Sequence, residues 1–323
     1  MENNNNKKRW LAAGLALLVL LVSLFTEGNK IDENKVRKDA LDKFYQMEEE
    51  VLYGSNSMEK ISIINVDGVI ANDSNNDTIV DQLEDARKDP SVVGVIMHIN
   101  SPGGSVYASE KIYKEINKLK ETNKPVYAVM QELAASGGYY ISAPCEKIFA
   151  SNETFTGSIG VIMQSYSLEG LFEKYGIKEQ NITTGKMKDA GSPGKALDKE
   201  EKEYLQNLVD SAFSRFVKVV ADGRNMSEAD VRKLADGRIY DGSQAVENGL
   251  VDSIGDLEAA YKDMAKEYNL SDPLAVEKVD VLSNFSKYLP GFKSNKSDLE
   301  VLEEMMKAEG LKPMYLYGGS YEW

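Results

Sequence analysis

The sequence predicts an α/β fold with a mostly parallel sheet and flanking helices, and three observations predict it. β-Branched runs of strand length alternate with segments whose apolar residues recur at helical spacing. The two most conspicuous glycine-rich turns each follow such a strand and open a helix. Apolar content of 42% over 323 residues is ordinary for a globular chain and suffices for a core of that size.

Met1–Arg9 is polar and ends in Lys7-Lys8-Arg9, and Trp10–Phe25 then runs sixteen residues without a charge. Such a run spans roughly 24 Å as a helix, slightly short of a ~30 Å hydrocarbon core, and a cleaved signal peptide is the competing reading. No small-residue cleavage signal follows Leu24-Phe25, so residues 10–26 are expected to be an uncleaved single-pass anchor. The basic cluster places residues 1–9 in the cytoplasm and everything after the anchor outside the cell membrane. Residues 27–59 are charge-dense and read as a solvated stalk, with helix around Lys35–Val51.

Residues 60–270 carry the α/β pattern. Strands are expected at Ile61–Val66, Val92–Ile99, Pro125–Met130, Lys147–Ala150, Ser158–Gln164 and Ile177–Ile182, with a short one near Val251. Helices are expected at Thr78–Lys88, Ser105–Glu121, Ser136–Ser142, Asp198–Ala221, Ser227–Ala235 and Leu257–Tyr268. Strands alternating with helices imply parallel pairing. Residues 271–323 form a C-terminal extension without a clear sheet signal, ending in a Tyr-rich stretch after Pro313.

Composition excludes several chemistries. One cysteine (Cys145) and one histidine (His98) cannot make a Cys/His zinc site or an intrachain disulfide, and no metal or cofactor is expected. A net charge of −14 disfavours nucleic acid as a partner. Any imidazole base would have to be His98, which lies within an apolar strand pattern and reads as structural or surface.

The chemistry concentrates in the two turns. Asn100-Ser101-Pro102-Gly103-Gly104 combines a fixed proline φ with paired glycines and leaves backbone N–H groups facing the space beyond a strand, suited to an anion or a developing oxyanion. Ala134-Ala135-Ser136-Gly137-Gly138-Tyr139-Tyr140 places a serine among small residues at a second strand-to-helix junction, where Gly137 admits a substrate and offers another N–H. Each turn alone fits a tight connection or a helix cap. Two of them at the carboxyl ends of successive strands favour a site. With no suitable histidine, a base for Ser136 would be a lysine held neutral by burial or cationic neighbours. Thr183–Pro193 holds Lys186 and Lys188, and on its residues alone it reads as a solvated basic turn.

From about Lys60 to Tyr268 the chain resembles the signal peptide peptidase A family in its short, single-copy bacterial form. The resemblance is carried by the two turns together with Thr156-Gly157-Ser158-Ile159-Gly160-Val161, Thr184-Gly185-Lys186-Met187-Lys188-Asp189 and Asp236-Gly237-Arg238-Ile239-Tyr240-Asp241-Gly242, and the terminal Met314-Tyr315-Leu316-Tyr317 is similar as well. It implies a ClpP/crotonase-like core and a membrane-anchored Ser-Lys serine endopeptidase acting on signal peptide remnants or other membrane-associated peptides. It assigns the nucleophile to Ser136, the general base to Lys188 rather than Lys186, the oxyanion hole to Gly103 and Gly137, and a lysine-orienting hydroxyl to Ser158. By analogy with the family's duplicated long form, a single-copy chain is expected to form a homo-oligomeric ring with sites shared between subunits. Gln131-Glu132 and His98 depart from the usual pattern, and Glu132 is expected to point away from the base. A crotonase-like acyl-CoA enzyme and a catalytically idle membrane scaffold are the alternatives. The chain's own C-terminal tail is a further candidate ligand of the groove, to be trimmed or to inhibit.

Overall fold

The computed structural model describes residues 48–279 and 313–317. Its strands are β1 (Glu48–Tyr53), β2 (Asn56–Asp67), β3 (Val92–Ser101), β4 (Gly103–Ser105), β5 (Val126–Ala135), β6 (Lys147–Ala150), β7 (Phe155–Gly157), β8 (Ile239–Asp241), β9 (Ser253–Ile254), β10 (Pro273–Val279) and β11 (Met314–Leu316). The helices are α1 (Ser74–Lys88), α2 (Val106–Lys120), α3 (Gly137–Ser142), α4 (Glu169–Lys174), α5 (Lys199–Arg224), α6 (Glu228–Leu234), α7 (Gly242–Glu247) and α8 (Leu257–Glu267).

The main sheet runs β1-β10-β2-β3-β5-β6-β9, and its pairings from β10 through β9 are parallel. Alternation along the strands explains why both faces are dry. Ile64, Val66, Met97 and Ile99 pack with α1, α2, α3 and α5 residues on one face, while Ile61, Ile63, Ile96 and Tyr127 meet Ala260, Tyr261 and Met264 of α8 on the other. The fold is thus mixed α/β with a mostly parallel sheet. Helix boundaries follow capping chemistry: Asp73 opens α1, Ser105 opens α2, and Asp198 with Glu201 closes a reciprocal capping box on α5.

β5 positions the site, because its two halves have different partners. Tyr127–Met130 pair with β6, whereas Leu133–Ala135 pair with β7, which lies antiparallel to β8. The expected strand at Ser158–Gln164 is replaced by Phe155–Gly157, since the chain turns out of the sheet at Gly157 and Ser158, with φ +84° and +48°. Ile177–Ile182 forms no strand; its β-branched residues lie exposed without a neighbouring strand to pair with. Glu48–Tyr53 is a strand where the helix expected around Lys35–Val51 would have ended, and the rest of that helix lies outside the described residues. The C-terminal extension, read as lacking sheet, contributes β10 between β1 and β2 and β11 on β4. Among the described residues no helix is long and apolar enough to cross a membrane, and the expected anchor, residues 10–26, lies outside them.

Candidate active site

The first glycine turn is pinned from both sides. Ser101 Oγ donates to Gly68 O at 2.6 Å and accepts the Gly103 N–H at 3.1 Å, while Asn100 Oδ1 accepts the Leu133 N–H at 3.2 Å. Gly103 has φ +95°, a conformation side-chain-bearing residues rarely adopt. A Cβ there would lie 2.1 Å from Tyr315 O and 2.4 Å from Gly137 N, so the two turns meet backbone to backbone at this point.

Ser136 stands at the N-cap position of α3, yet its side chain makes no capping hydrogen bond. The simple capping role is therefore unfilled. Its backbone, at φ +53° and ψ −110°, lies outside the ordinary left-handed well, a strain of about 1–3 kcal/mol that its surroundings must over-determine. They do so with an N–H to Gly157 O at 2.8 Å, Tyr140 N–H back to Ser136 O at 2.8 Å, and Thr156 Oγ1 to Ala134 O at 2.7 Å. Ala135 pairs with Gly157, so Ser136 and Ser158 leave neighbouring strands at the same level. Ser136, Ser158, Gly103 and Gly137 are all buried together at this end of the sheet.

Segment 313–317 runs along the first turn. β11 pairs antiparallel with β4, placing Met314, Tyr315 and Leu316 opposite Ser105, Gly104 and Gly103. Met314 also exchanges both backbone hydrogen bonds with Ile162, at 2.9 and 3.0 Å, and Tyr317 N–H donates to Pro102 O at 2.9 Å. The segment is therefore held by backbone on both flanks, as an extended peptide added to strand edges would be. Beside it a groove of about 480 Å³ is lined by Ser158, Gly160, Phe213 and Asp210 together with Leu316 and Tyr317.

Ser136 is buried, whereas Lys188 is exposed. Lys188 lies on an arm between β7 and α5, and no hydrogen bond between Lys188 and Ser136 exists among the described residues. The arm is tied to α5 instead: Lys195 bonds both Asp189 (2.9 Å) and the buried Glu201 (2.6 Å), and Lys186 pairs with Glu200. Lys186 is thus engaged in an ion pair, while Lys188 makes none among the described residues. Large apolar residues on this arm, Tyr166, Leu171, Tyr175 and Ile182 among them, face outward.

His98 is half-buried on β3, its Nδ1 3.1 Å from Asn65 Oδ1, and burial lowers its pKa against a weaker opposing pull from Asp67. It belongs to the sheet rather than to the Ser136 cluster. Glu132 is exposed. Cys145 is fully buried, with its thiol pushed up to about 12 by desolvation, and is inert as a nucleophile. Sequence reasoning overlooked the pinning roles of Asn100, Ser101 and Thr156. It also overlooked the aromatic wall of Tyr140 and Phe216, whose only signal was helical spacing.

Two family descriptions match the chain: Peptidase family S49 over residues 118–271 and Clp protease over residues 46–154. A protein bearing the name signal peptide peptidase SppA in Enterococcus faecium is 41% identical over 97% of this chain and 99% of its own length. A Methanocaldococcus jannaschii protein named as a protease is 42% identical over 72% of the chain and 75% of its own length. Protease 4 of Haemophilus influenzae is 36% identical over 70% of the chain, which corresponds to 38% of that longer protein. The parallel sheet with paired glycine turns fits a ClpP-like core, and the chain belongs to peptidase family S49, the signal peptide peptidase A family of serine peptidases.

Proposed function

We propose that this chain is a membrane-anchored endopeptidase that hydrolyses signal peptide remnants or other membrane-associated peptides, with Ser136 as nucleophile and Lys188 as general base. The observation that carries the reading is Ser136 itself: a strained serine with no capping bond, flanked by Ala135 and Gly137, whose backbones meet Gly103, beside an extended peptide segment. Ser136 Oγ attacks the scissile carbonyl and passes its proton to neutral Lys188, which returns it to the leaving amine. Water then cleaves the acyl ester by the same route. The Gly137 and Gly103 N–H groups hold the oxyanion, which replaces Ser101 Oγ as acceptor at Gly103. Ser158, level with Ser136 on the next strand, orients the lysine.

Because Lys188 sits exposed on an arm with an outward apolar surface, the base comes from a neighbouring copy in a homo-oligomeric ring. The expected anchor at residues 10–26 holds the catalytic domain on the outer side of the cell membrane, close to such peptides. The segment after Pro313, lying on β4, is the chain's own ligand for the groove.

A serine-directed phosphonate followed by mass spectrometry tests the reading. Ser136 is expected to carry the adduct, Lys188→Ala to slow its formation, and Ser136→Ala to abolish peptide cleavage while leaving the fold intact. Mixing Ser136→Ala with Lys188→Ala chains is expected to restore part of the activity. No recovery in verified mixed oligomers places both groups in one chain, and full activity of Ser136→Ala removes the nucleophile assignment.

A further inference from the structure

Ser109 carries a buried hydroxyl that the reaction described above does not use. It lies in the first turn of α2, on the face that also holds Ala108, Ile112 and Ile116, and is fully buried. Its Oγ has no hydrogen-bond partner among the described residues. The ordinary outlet for a serine inside a helix is the carbonyl one turn back. Ser142 takes it, its Oγ donating to Gly138 O at 2.7 Å. Ser109 does not, although an unpaired buried hydroxyl weakens a fold.

What the oxygen meets instead is Gly137. A Cβ on Gly137 would stand 2.8 Å from Ser109 Oγ and 3.0 Å from both Gly103 Cα and Gly104 N. A Cβ on Gly138 would stand 2.9 Å from Ser101 O. The first turn of α3 is therefore wedged between α2 on one flank and the first glycine turn on the other. One turn further along both helices, the Tyr113 ring packs against Tyr140 at 5.5 Å between centroids, which fixes their spacing and keeps Ser109 Oγ from drawing back.

We infer that Ser109 is a positioning residue: its hydroxyl oxygen backs Gly137 and holds the Gly137 N–H where the oxyanion forms, acting through that glycine and not on substrate. The inference rests on the peptidase reading above and adds a residue to it. Size decides the residue type. Alanine lacks the oxygen and opens a gap behind Gly137, whereas a cysteine sulfur, on a longer bond, overfills the contact. Because the unpaired hydroxyl destabilises the fold, removing it relieves the fold while the oxyanion hole loses its backing. Stability and turnover then move in opposite directions, which a residue serving only the core does not produce.

The test uses the full-length chain, with fluorescent β-casein as substrate and the serine-directed phosphonate as a probe of Ser136. In Ser109→Ala, kcat is expected to fall about tenfold with KM within about twofold of wild type. Phosphonate labelling is expected to slow in parallel, because the phosphoryl oxygen enters the same hole. The urea midpoint of this variant is expected to equal or exceed that of wild type. Ser109→Cys is expected to lose turnover and stability together. Wild-type kcat in either variant, an alanine variant impaired only in KM, or one whose urea midpoint falls along with kcat overturns the role of Ser109 and leaves the peptidase reading standing. Casein cleavage that persists in Ser136→Ala, or a wild-type chain that neither cleaves casein nor labels at Ser136, removes the peptidase reading and the role of Ser109 with it.

Discussion

Tyr315→Ala measures what holds the segment on the groove. The Tyr315 side chain is fully buried against Tyr140 and Phe216, and its hydroxyl is bonded to Ala212 O. Burying a tyrosine side chain removes about 150–200 Å² from water, worth about 4–5 kcal/mol at ~25 cal/mol per Å². Aromatic-to-alanine truncations in cores cost about 3–5 kcal/mol, which sets the lower end. At about 1.4 kcal/mol per factor of ten, a loss of about 3–5 kcal/mol lowers the docked-to-undocked ratio of segment 313–317 by about 10²-fold to about 4,000-fold. The backbone bonds to β4, Ile162 and Pro102 remain available, but a few strand-edge hydrogen bonds at about 1 kcal/mol each do not offset the loss of the ring. The assay is the rate of Ser136 labelling by a small phosphonate, with limited proteolysis reporting release of the segment and urea midpoints reporting the fold. Labelling is expected to accelerate as the segment is released. A segment that is demonstrably released while Ser136 labels no faster would refute the reasoning, because it would mean that β11 does not cover the site.

Three further outcomes are expected. Gly103→Ala combines a positive φ with backbone contacts at 2.1 and 2.4 Å, and should cost about 2–5 kcal/mol in a urea titration and abolish Ser136 labelling; wild-type labelling in that variant contradicts the packed geometry. Lys195→Ala removes the link between Asp189 on the Lys188 arm and Glu201 of α5, so kcat should fall about tenfold with KM little changed, and Lys195→Arg should recover most of it; a variant impaired only in KM assigns Lys195 to substrate binding instead. His98, depressed below its ordinary value near 6.5 by burial, binds its proton less readily folded than unfolded. Its contribution to stability is therefore present above pH 6.5 and lost as pH falls through the folded pKa. Urea midpoints at pH 7.5 and 5.5 should show a drop that His98→Gln lessens. Glu277, raised by burial and bonded to Asn65, titrates with the opposite sign, so the two chains are compared at each pH; identical slopes refute the role of His98.

The elements that local chemistry can specify were legible. β6 lies where its short strand-like run predicts, and α2 sits between Ser105 and Glu121 because the serine caps the helix and Ala108, Ile112, Ile116 and Leu119 share a buried face. Ser136 was legible as a candidate because small residues surround it at a strand-to-helix junction, and the structure adds the positive φ and the missing capping bond. Ile177–Ile182 misled because β-propensity describes fitness for a pleated surface, and here no surface is offered. Lys188 was assigned only through the family resemblance, because Thr183–Pro193 on its residues alone reads as a solvated basic turn.

The sequence by itself determined the alternation of strands and helices, the two glycine turns, the family, and the absence of a second imidazole. Tertiary structure decided that Gly103 abuts Gly137, that Ser158 leaves its strand level with Ser136, that β10 enters between β1 and β2, and that Tyr315 fills a pocket built from Tyr140, Phe216 and Ala212. The division has a physical cause. Periodicity, capping and turn chemistry act over a few residues, whereas the pairing of Tyr315 with Gly104 joins positions more than two hundred residues apart through backbone bonds and shared burial that leave no local pattern behind.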